Sequence, residues 1–316
     1  MSQSVKAPFK FSYTQPSVGR RHKGGIMSDL EQTAIERLKA ASDMSLRLFD
    51  KPLVITYSGG KDSDVLLHLA EKSGIPFEAL HSLTTADAPE TVRHVYDTFR
   101  RLEEKDVKCT VDKHVQPDGS RVTMWNLIPR KLMPPTRVVR YCCAELKEGG
   151  GKGRFIATGV RWAESTARRK NRGGWEVLHS NRQKSLILAN DNEEDRRLFE
   201  TCQMKGKRVV NPIIDWKNDD VLDYAAVEKI PMNPLYCEGF HRVGCVGCPM
   251  AGKSRATEFS RYPKIKAAYI RAFDRMLEER RKRSLPCQRQ SGVDVFHWWM
   301  EDGVLPGQEV LGGFEE

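Results

Sequence analysis

The sequence predicts an α/β protein: a parallel, twisted sheet with helices on both faces, followed by a small, cysteine-rich and mainly helical C-terminal subdomain. Three observations carry this. Short apolar runs such as "LVITY" are followed by stretches of helical spacing, the order strand, loop, helix, strand is visible from residue 53, and near residue 236 the composition turns to cysteine, glycine and proline. At 316 residues and 39% hydrophobic content the chain can bury a real core. Its longest apolar runs fall far short of the ~20 residues a membrane span needs. The first 25 residues show no signal-peptide core, so the expected compartment is the cytoplasm.

Residues 1–27 are polar, basic and without periodicity, and are expected to form a flexible arm. Ser28 and Glu31 then read as a capping box ahead of Leu30, Ala34, Ile35, Leu38 and Ala41, which recur at helical spacing. A first strand is expected near Leu53–Tyr57. After a glycine turn, Val65, Leu66, Leu69 and Ala70 mark one face of a helix that stops at Gly74-Ile75-Pro76. "FEALHSL" is the second strand, which makes a right-handed βαβ unit. "RFIATGV" and "RVVNPII" read as later strands and "NDDVLDYAAVEK" as a helix. The α/β domain is expected over 28–235 and the C-terminal subdomain over 236–316. In the latter, a helix from Pro263 carries Ile265, Tyr269, Phe273, Met276 and Leu277, and "DVFHWWM" supplies an aromatic patch that reads as core cover.

The turn Ser58-Gly59-Gly60-Lys61-Asp62-Ser63 joins the first strand to its helix. Its glycines permit positive φ and close approach of the backbone to a ligand, so successive N–H groups can face an anion. The following helix adds its positive end, and phosphate is the expected guest. A rival match exists, because Gly247 to Ser254 satisfies the Walker A spacing G-x-x-x-x-G-K-[ST]. It lacks the buried strand that must precede such a loop, and Cys248 and Pro249 sit inside it.

The 58–63 turn resembles the PP-loop, SGGxDS, of the adenine nucleotide α-hydrolase superfamily. Further along, "TTADAPETV" (84–92), "RYCCAELK" (140–147) and "GVRWAESTAR" (159–168) are similar to segments of the phosphoadenosine phosphosulfate (PAPS) reductase family. The resemblance covers roughly residues 50–250. It implies an adenine nucleotide α-hydrolase-like fold that binds ATP, or the related adenylyl sulfate (APS) or PAPS. Lys61, Lys147, Arg161 and Arg168 would supply positive charge for the phosphates, with arginine able to engage oxygens in pairs. Ser58, Gly59, Gly60 and Ser63 would hold individual oxygens, and Asp62 belongs to the loop. From the signature Gly159, Glu164, Ser165 and Arg168 follow as cofactor-binding positions, and Asp87 and Glu164 would assist Mg²⁺ or the nucleoside. The alternative for Glu164 is a structural pair with Arg161.

Eight cysteines in so long a chain, two adjacent and two in CxxC spacing, suit metal or redox work better than a disulfide framework. Isolated Cys109 and Cys202 read as plain buried residues. Cys142-Cys143 with Cys245-x-x-Cys248 resembles the set that holds a [4Fe-4S] cluster in APS reductases. Cys237 is a fifth candidate for the four positions, and zinc is the rival metal. Cys287 reads as no ligand.

Net charge is +10, with basic clusters at 20–23, 168–172 and 280–283. That balance fits phosphate-rich partners, nucleic acid among them, although a solvated helix face explains such runs equally well. Three functions follow from these residues and the resemblance. One is an ATP pyrophosphatase that activates a substrate for sulfur transfer, possible partners being DNA and a sulfur donor such as a cysteine desulfurase. The layout resembles the iron-sulfur proteins of DNA phosphorothioation. The second is an APS/PAPS reductase, against which stands the absence of the family's "ECGLH" nucleophile segment from the sequence. The third is a non-catalytic binding module, against which stand the complete polar sets of "SGGKDS" and "GVRWAES".

Overall fold

A computed structural model describes residues 24–116, 118–151, 153–179, 185–202 and 206–301. The basic arm expected at 1–27 lies outside the described residues up to position 23. Helix α1, Gly24–Phe49, already runs through the position read as its start. Ser28 is therefore an exposed residue inside the helix and not its cap. Glu31 reaches sideways instead, to Lys72 at 2.5 Å and the Tyr224 hydroxyl at 3.0 Å. A tertiary ion pair has replaced the local capping bond.

The sheet holds seven strands in the order β3-β2-β1-β4-β7-β5-β6. They are β1 Leu53–Thr56, β2 Phe77–Ser82, β3 Cys109–Asp112, β4 Phe155–Ala157, β5 Trp175–Leu178, β6 Leu186–Leu188 and β7 Lys207–Val210. β3, β2, β1, β4 and β7 are mutually parallel, whereas β5 pairs antiparallel with both β6 and β7. Helix α2, Lys61–Ser73, joins β1 to β2 and ends on Gly74 with φ of 69°. Helix α3, Pro89–Glu103, joins β2 to β3. The chain then runs through α4, Met124–Lys131, and α5, Tyr141–Leu146, before it reaches β4.

Alternate side chains of the strands point to opposite faces. Leu53 and Ile55 are fully buried in the main core with Val65, Leu66, Leu69 and Ala70 of α2, the four residues expected on its inner face. Val54, Ile156 and Val209 form a smaller cluster on the other face. Two further helices, α7 Glu193–Thr201 and α8 Asn218–Val227, add Phe199, Val221 and Tyr224 to the main core.

A second core gathers around α9 Ser254–Arg261, α10 Pro263–Lys282 and α11 Gly292–Met300. Phe259, Tyr269, Phe273, Phe296 and Trp299 interlock there, with Tyr269 and Trp299 ring centroids 4.9 Å apart. The aromatic run at 294–300 is thus a packing element. The same core draws in Ala86, Met124, Leu127, Ile128 and Leu146 from the middle of the chain.

The strand order reverses direction between β1 and β4, neighbours at the centre of the sheet. In open α/β sheets such a switch point opens a crevice at the carboxyl ends of the strands. Here the loops after β1 and β4 are the 58–63 turn and the "GVRWAES" segment.

Candidate active site at the switch point

The turn after β1 is tight because it is pinned from three sides. Gly59 has φ of 73°, and a Cβ there would lie 3.0 Å from Val95 and 3.1 Å from Thr91 of α3. Its carbonyl accepts a hydrogen bond of 2.8 Å from Asn233, a fully buried residue that also donates to the Thr91 hydroxyl. Gly159, after β4, lies against the start of α2, where a Cβ would come 3.1 Å from the Asp62 carbonyl. Tyr57, Asp64 and His94 support the turn from behind: the Tyr57 hydroxyl donates to Asp64 at 2.6 Å, and His94 sits 2.9 Å from the same carboxylate oxygen.

The loop amides are not all aimed outward, as the sequence suggested. Ser63 folds its hydroxyl under the turn, where it accepts the N–H groups of Ser58 and Gly60 at 3.2 Å each and donates to the Gly60 carbonyl. Ser58 Oγ also donates to it, at 3.1 Å. The Lys61 N–H donates to the Tyr236 hydroxyl at 3.0 Å. Among the described residues, the N–H groups of Gly59 and Asp62 have no protein acceptor. They are the loop donors left for an anion.

Three charges meet at the mouth of the turn. Asp62 accepts from Lys61 Nζ at 3.0 Å and from Arg161 Nε at 2.7 Å. Arg161 is only 2% exposed and also donates to the Trp216 carbonyl. Burial lowers the Lys61 pKa, with Asp62 opposing the shift and Arg161 adding to it. Glu164 accepts the Arg161 main-chain N–H at 3.0 Å and pairs with the Arg168 side chain. Ser165 caps α6, Thr166–Asn171, by accepting the Arg168 N–H. Arg168 lies within electrostatic reach of Arg172, Arg242 and Arg161, and burial together with those like charges lowers its pKa.

The cysteines lie beside this group. The Cys142 thiol donates to Cys143 and lies within electrostatic reach of Cys245 and Cys248. Donation from Cys142 pulls the Cys143 pKa down against burial, with help from Arg140, whose guanidinium is 3.2 Å from the sulfur, and from Lys147. Cys245 bridges to Asp87 along the backbone and donates to Thr84 Oγ1 at 3.3 Å. Lys147 is exposed, yet its ammonium faces Cys245, Asp87 and Cys143, which together raise its pKa. Asp87 accepts the Thr84 N–H at 2.8 Å, so it belongs to the cysteine side of the site. Cys237 is exposed and is not among the groups that act on these thiols. Cys109 and Cys202, expected to be buried, are half-buried, and Cys287 is half-buried with its thiol turned to the Leu285 carbonyl. Gly247 to Ser254 follows no strand, and a Cβ on Gly247 would fall on the Phe259 ring, so this stretch is no phosphate loop.

Sequence reading passed over Tyr236, Asn233 and His81. The first two lie in "MNPLY", where an asparagine and a tyrosine within an apolar stretch were the available signal. His81 is 4% exposed, its Nδ1 lies 2.8 Å from the Tyr57 carbonyl, and burial lowers its pKa.

A glycine turn at the switch point of a parallel sheet, ringed by lysine and arginine, defines a PP-loop nucleotide-binding α/β protein. Residues 52–251 match the model of the phosphoadenosine phosphosulfate reductase domain, and the chain belongs to that family. It is 33% identical over 210 residues to sulfate adenylyltransferase subunit 2 of Streptomyces lavendulae, an alignment that covers 60% of this chain and 57% of that protein. The protein of the same name from Mesorhizobium japonicum is 31% identical over 215 residues, with 65% and 67% covered. The chain thus spans less than two thirds of the Streptomyces protein. Among solved structures, the PAPS reductase of Candida auris in its phosphate complex is 16% identical, with a TM-score of 0.40 over 70% of this chain and 95% of that one. No described helix is long and apolar enough to cross a membrane.

Proposed function

We propose that the chain binds an adenine nucleotide in the 58–63 turn and cleaves ATP at the α-phosphate, which activates a substrate for sulfur transfer. The observation that carries this is the Lys61–Asp62–Arg161 cluster beside the open Gly59 and Asp62 amides. A substrate oxygen attacks the α-phosphorus, the bond to the bridging oxygen breaks, and its electron pair leaves on pyrophosphate. The amides, Lys61, Arg161 and Arg168 stabilise that departing charge, and in-line placement supplies much of the acceleration. A sulfide-level sulfur nucleophile then bonds to the activated centre as that centre's bond to the AMP-bound oxygen breaks, and AMP leaves with that oxygen and the electron pair. The name shared by the relatives, an adenylyltransferase acting with sulfate, supports attack at the same phosphorus. Mg²⁺ would arrive on the nucleotide's own phosphates. Asp87 and Glu164 each use one carboxylate oxygen within the protein, and the other is left for the cation.

The four thiols of Cys142, Cys143, Cys245 and Cys248 suit a [4Fe-4S] cluster, with Arg140 and Lys147 to balance its negative charge. Among the described residues no three cysteine, histidine or acidic side chains are grouped so as to hold a metal ion. A single zinc, with Zn–S bonds of about 2.3 Å, demands a far more compact sulfur set than a four-iron cube does. Two ligands adjacent in sequence, Cys142 and Cys143, strain a single tetrahedral ion more than a four-iron cube, which favours the cluster. When bound, it supplies redox-active iron next to the nucleotide.

Arg169 and Lys170 stand exposed next to Arg168 at the mouth of the site, where a DNA backbone would meet them. The 280–283 run is committed elsewhere: Arg280 donates to the Pro286 and Leu132 carbonyls and Arg281 to Gln290. DNA phosphorothioation, with a cysteine desulfurase as sulfur donor, is the sulfur transfer these features fit. The test is product analysis on anaerobically purified protein supplied with ATP, APS or PAPS. Pyrophosphate and AMP from ATP support the proposal, and a DNA-dependent rate supports the acceptor. Sulfite from APS or PAPS with thioredoxin would make the chain a reductase.

A further inference from the structure

The oxygen of Tyr236 occupies an unusual place. It accepts the Lys61 N–H at 3.0 Å. A phenolic oxygen can accept hydrogen bonds and also carries one O–H donor. Turning the oxygen away from the turn would strand the Lys61 amide. The O–H is what remains. Among the described residues no protein acceptor takes it, although the phenol is half-buried, and burial pushes its pKa up to about 12 against the pull of the Lys61 N–H. The oxygen also lies over the middle of the turn, where a Cβ on Gly60 would be 3.3 Å from it. The hydroxyl therefore sits on the turn itself, at the Lys61 amide and between the residues whose own amides are open, Gly59 and Asp62.

We infer that Tyr236 is a phosphate-binding residue of this site, donating its hydroxyl proton to an oxyanion of the bound nucleotide. The inference rests on the proposed nucleotide site and adds to it a donor from outside the 58–63 turn. It also gives the segment 233–245 a part in recognition. Asn233 holds the Gly59 carbonyl and Tyr236 holds the Lys61 amide, so two residues of the stretch that leads to the CxxC cysteines grip the turn.

Calorimetric titration of the full chain and of Tyr236→Phe, with ATP, inorganic pyrophosphate and adenosine as separate probes, tests this. Phenylalanine keeps the ring and removes the donor, and equal melting temperatures of the two proteins establish that the fold is retained. A hydrogen bond to a charged oxygen predicts about 10- to 100-fold weaker binding of ATP and pyrophosphate, with adenosine unaffected. Equal or tighter pyrophosphate binding by Tyr236→Phe overturns the inference, as does an equal loss for adenosine. Lys61→Ala, run alongside, separates the two levels of the argument. If it loses pyrophosphate binding while Tyr236→Phe does not, the nucleotide site stands and Tyr236 is only structural. If the unaltered chain binds none of the probes, both fail.

Discussion

Asp62 draws two cations together at the mouth of the turn. Its carboxylate holds Lys61 and Arg161 at 3.0 and 2.7 Å, so removal leaves both to drift and leaves Arg161 buried without its counter-charge. Asp62→Ala is expected to lower pyrophosphate release from ATP by about 10²- to 10³-fold; an undiminished rate in a steady-state assay would count against its place in the site. Arg161→Lys should be nearly as damaging, because lysine cannot hold Asp62 and the Trp216 carbonyl with one planar group. At this scale the sequence was informative about identity and less so about posture. The spacing of "SGGKDS" and "GVRWAESTAR" named the groups that meet at the switch point. It could not show Ser63 turning inward to collect the Ser58 and Gly60 amides, since that depends on a hydroxyl rotamer set by the finished turn.

Among elements, the loops after β1 and β4 are held together by close backbone approach. A methyl group at Gly159 would press on the Asp62 carbonyl and the Ser63 amide, neither of which is free to yield. Gly159→Ala is expected to cost about 1–3 kcal/mol in chemical denaturation and to weaken nucleotide binding. Loss of stability without loss of binding would mean that the contact is only structural. Arg154 ties three strands by donating to Glu78 on β2 at 3.0 Å and to the Pro52 carbonyl ahead of β1, from its place next to β4. Burial works against Glu78 ionising, but the Arg154 hydrogen bond and charge, with Lys108, bring its pKa below the ordinary value. The folded pKa is the lower one, so this stabilisation is complete above the unfolded value of about 4.3 and fades as pH falls through the folded one. Glu78→Gln should therefore flatten the acid limb of the stability–pH curve, and an unchanged limb would contradict the assignment. The βαβ start, the Gly74 stop and α10 were legible because periodicity and caps are local. The antiparallel β5–β6 edge was not, because three- and four-residue strands carry too little pattern to distinguish from loop.

For the molecule as a whole, two cores meet at one site. The sheet core fixes the 58–63 turn, and the aromatic core around Trp299 backs the CxxC segment through the Tyr269 hydroxyl, which donates to the Val246 carbonyl at 3.1 Å. Trp299→Ala should destabilise by about 3–5 kcal/mol. It should also reduce the iron retained per chain, which parallel melting and metal analysis can separate. Full iron in a destabilised protein would show that the second core does not support the thiols. The sequence marked the aromatic run as core and the cysteines as a set. The inclusion of Met124, Leu127 and Leu146 in that core depends on long-range packing that no local pattern reports. The central claim is that phosphates lie on the turn after β1. Its most direct test is a crystal structure with an ATP analogue whose α–β bridge is methylene. Phosphate oxygens are expected about 3 Å from the Gly59 and Asp62 N–H groups, with Arg161 alongside; phosphates lodged elsewhere, with those amides facing water, would overturn the assignment.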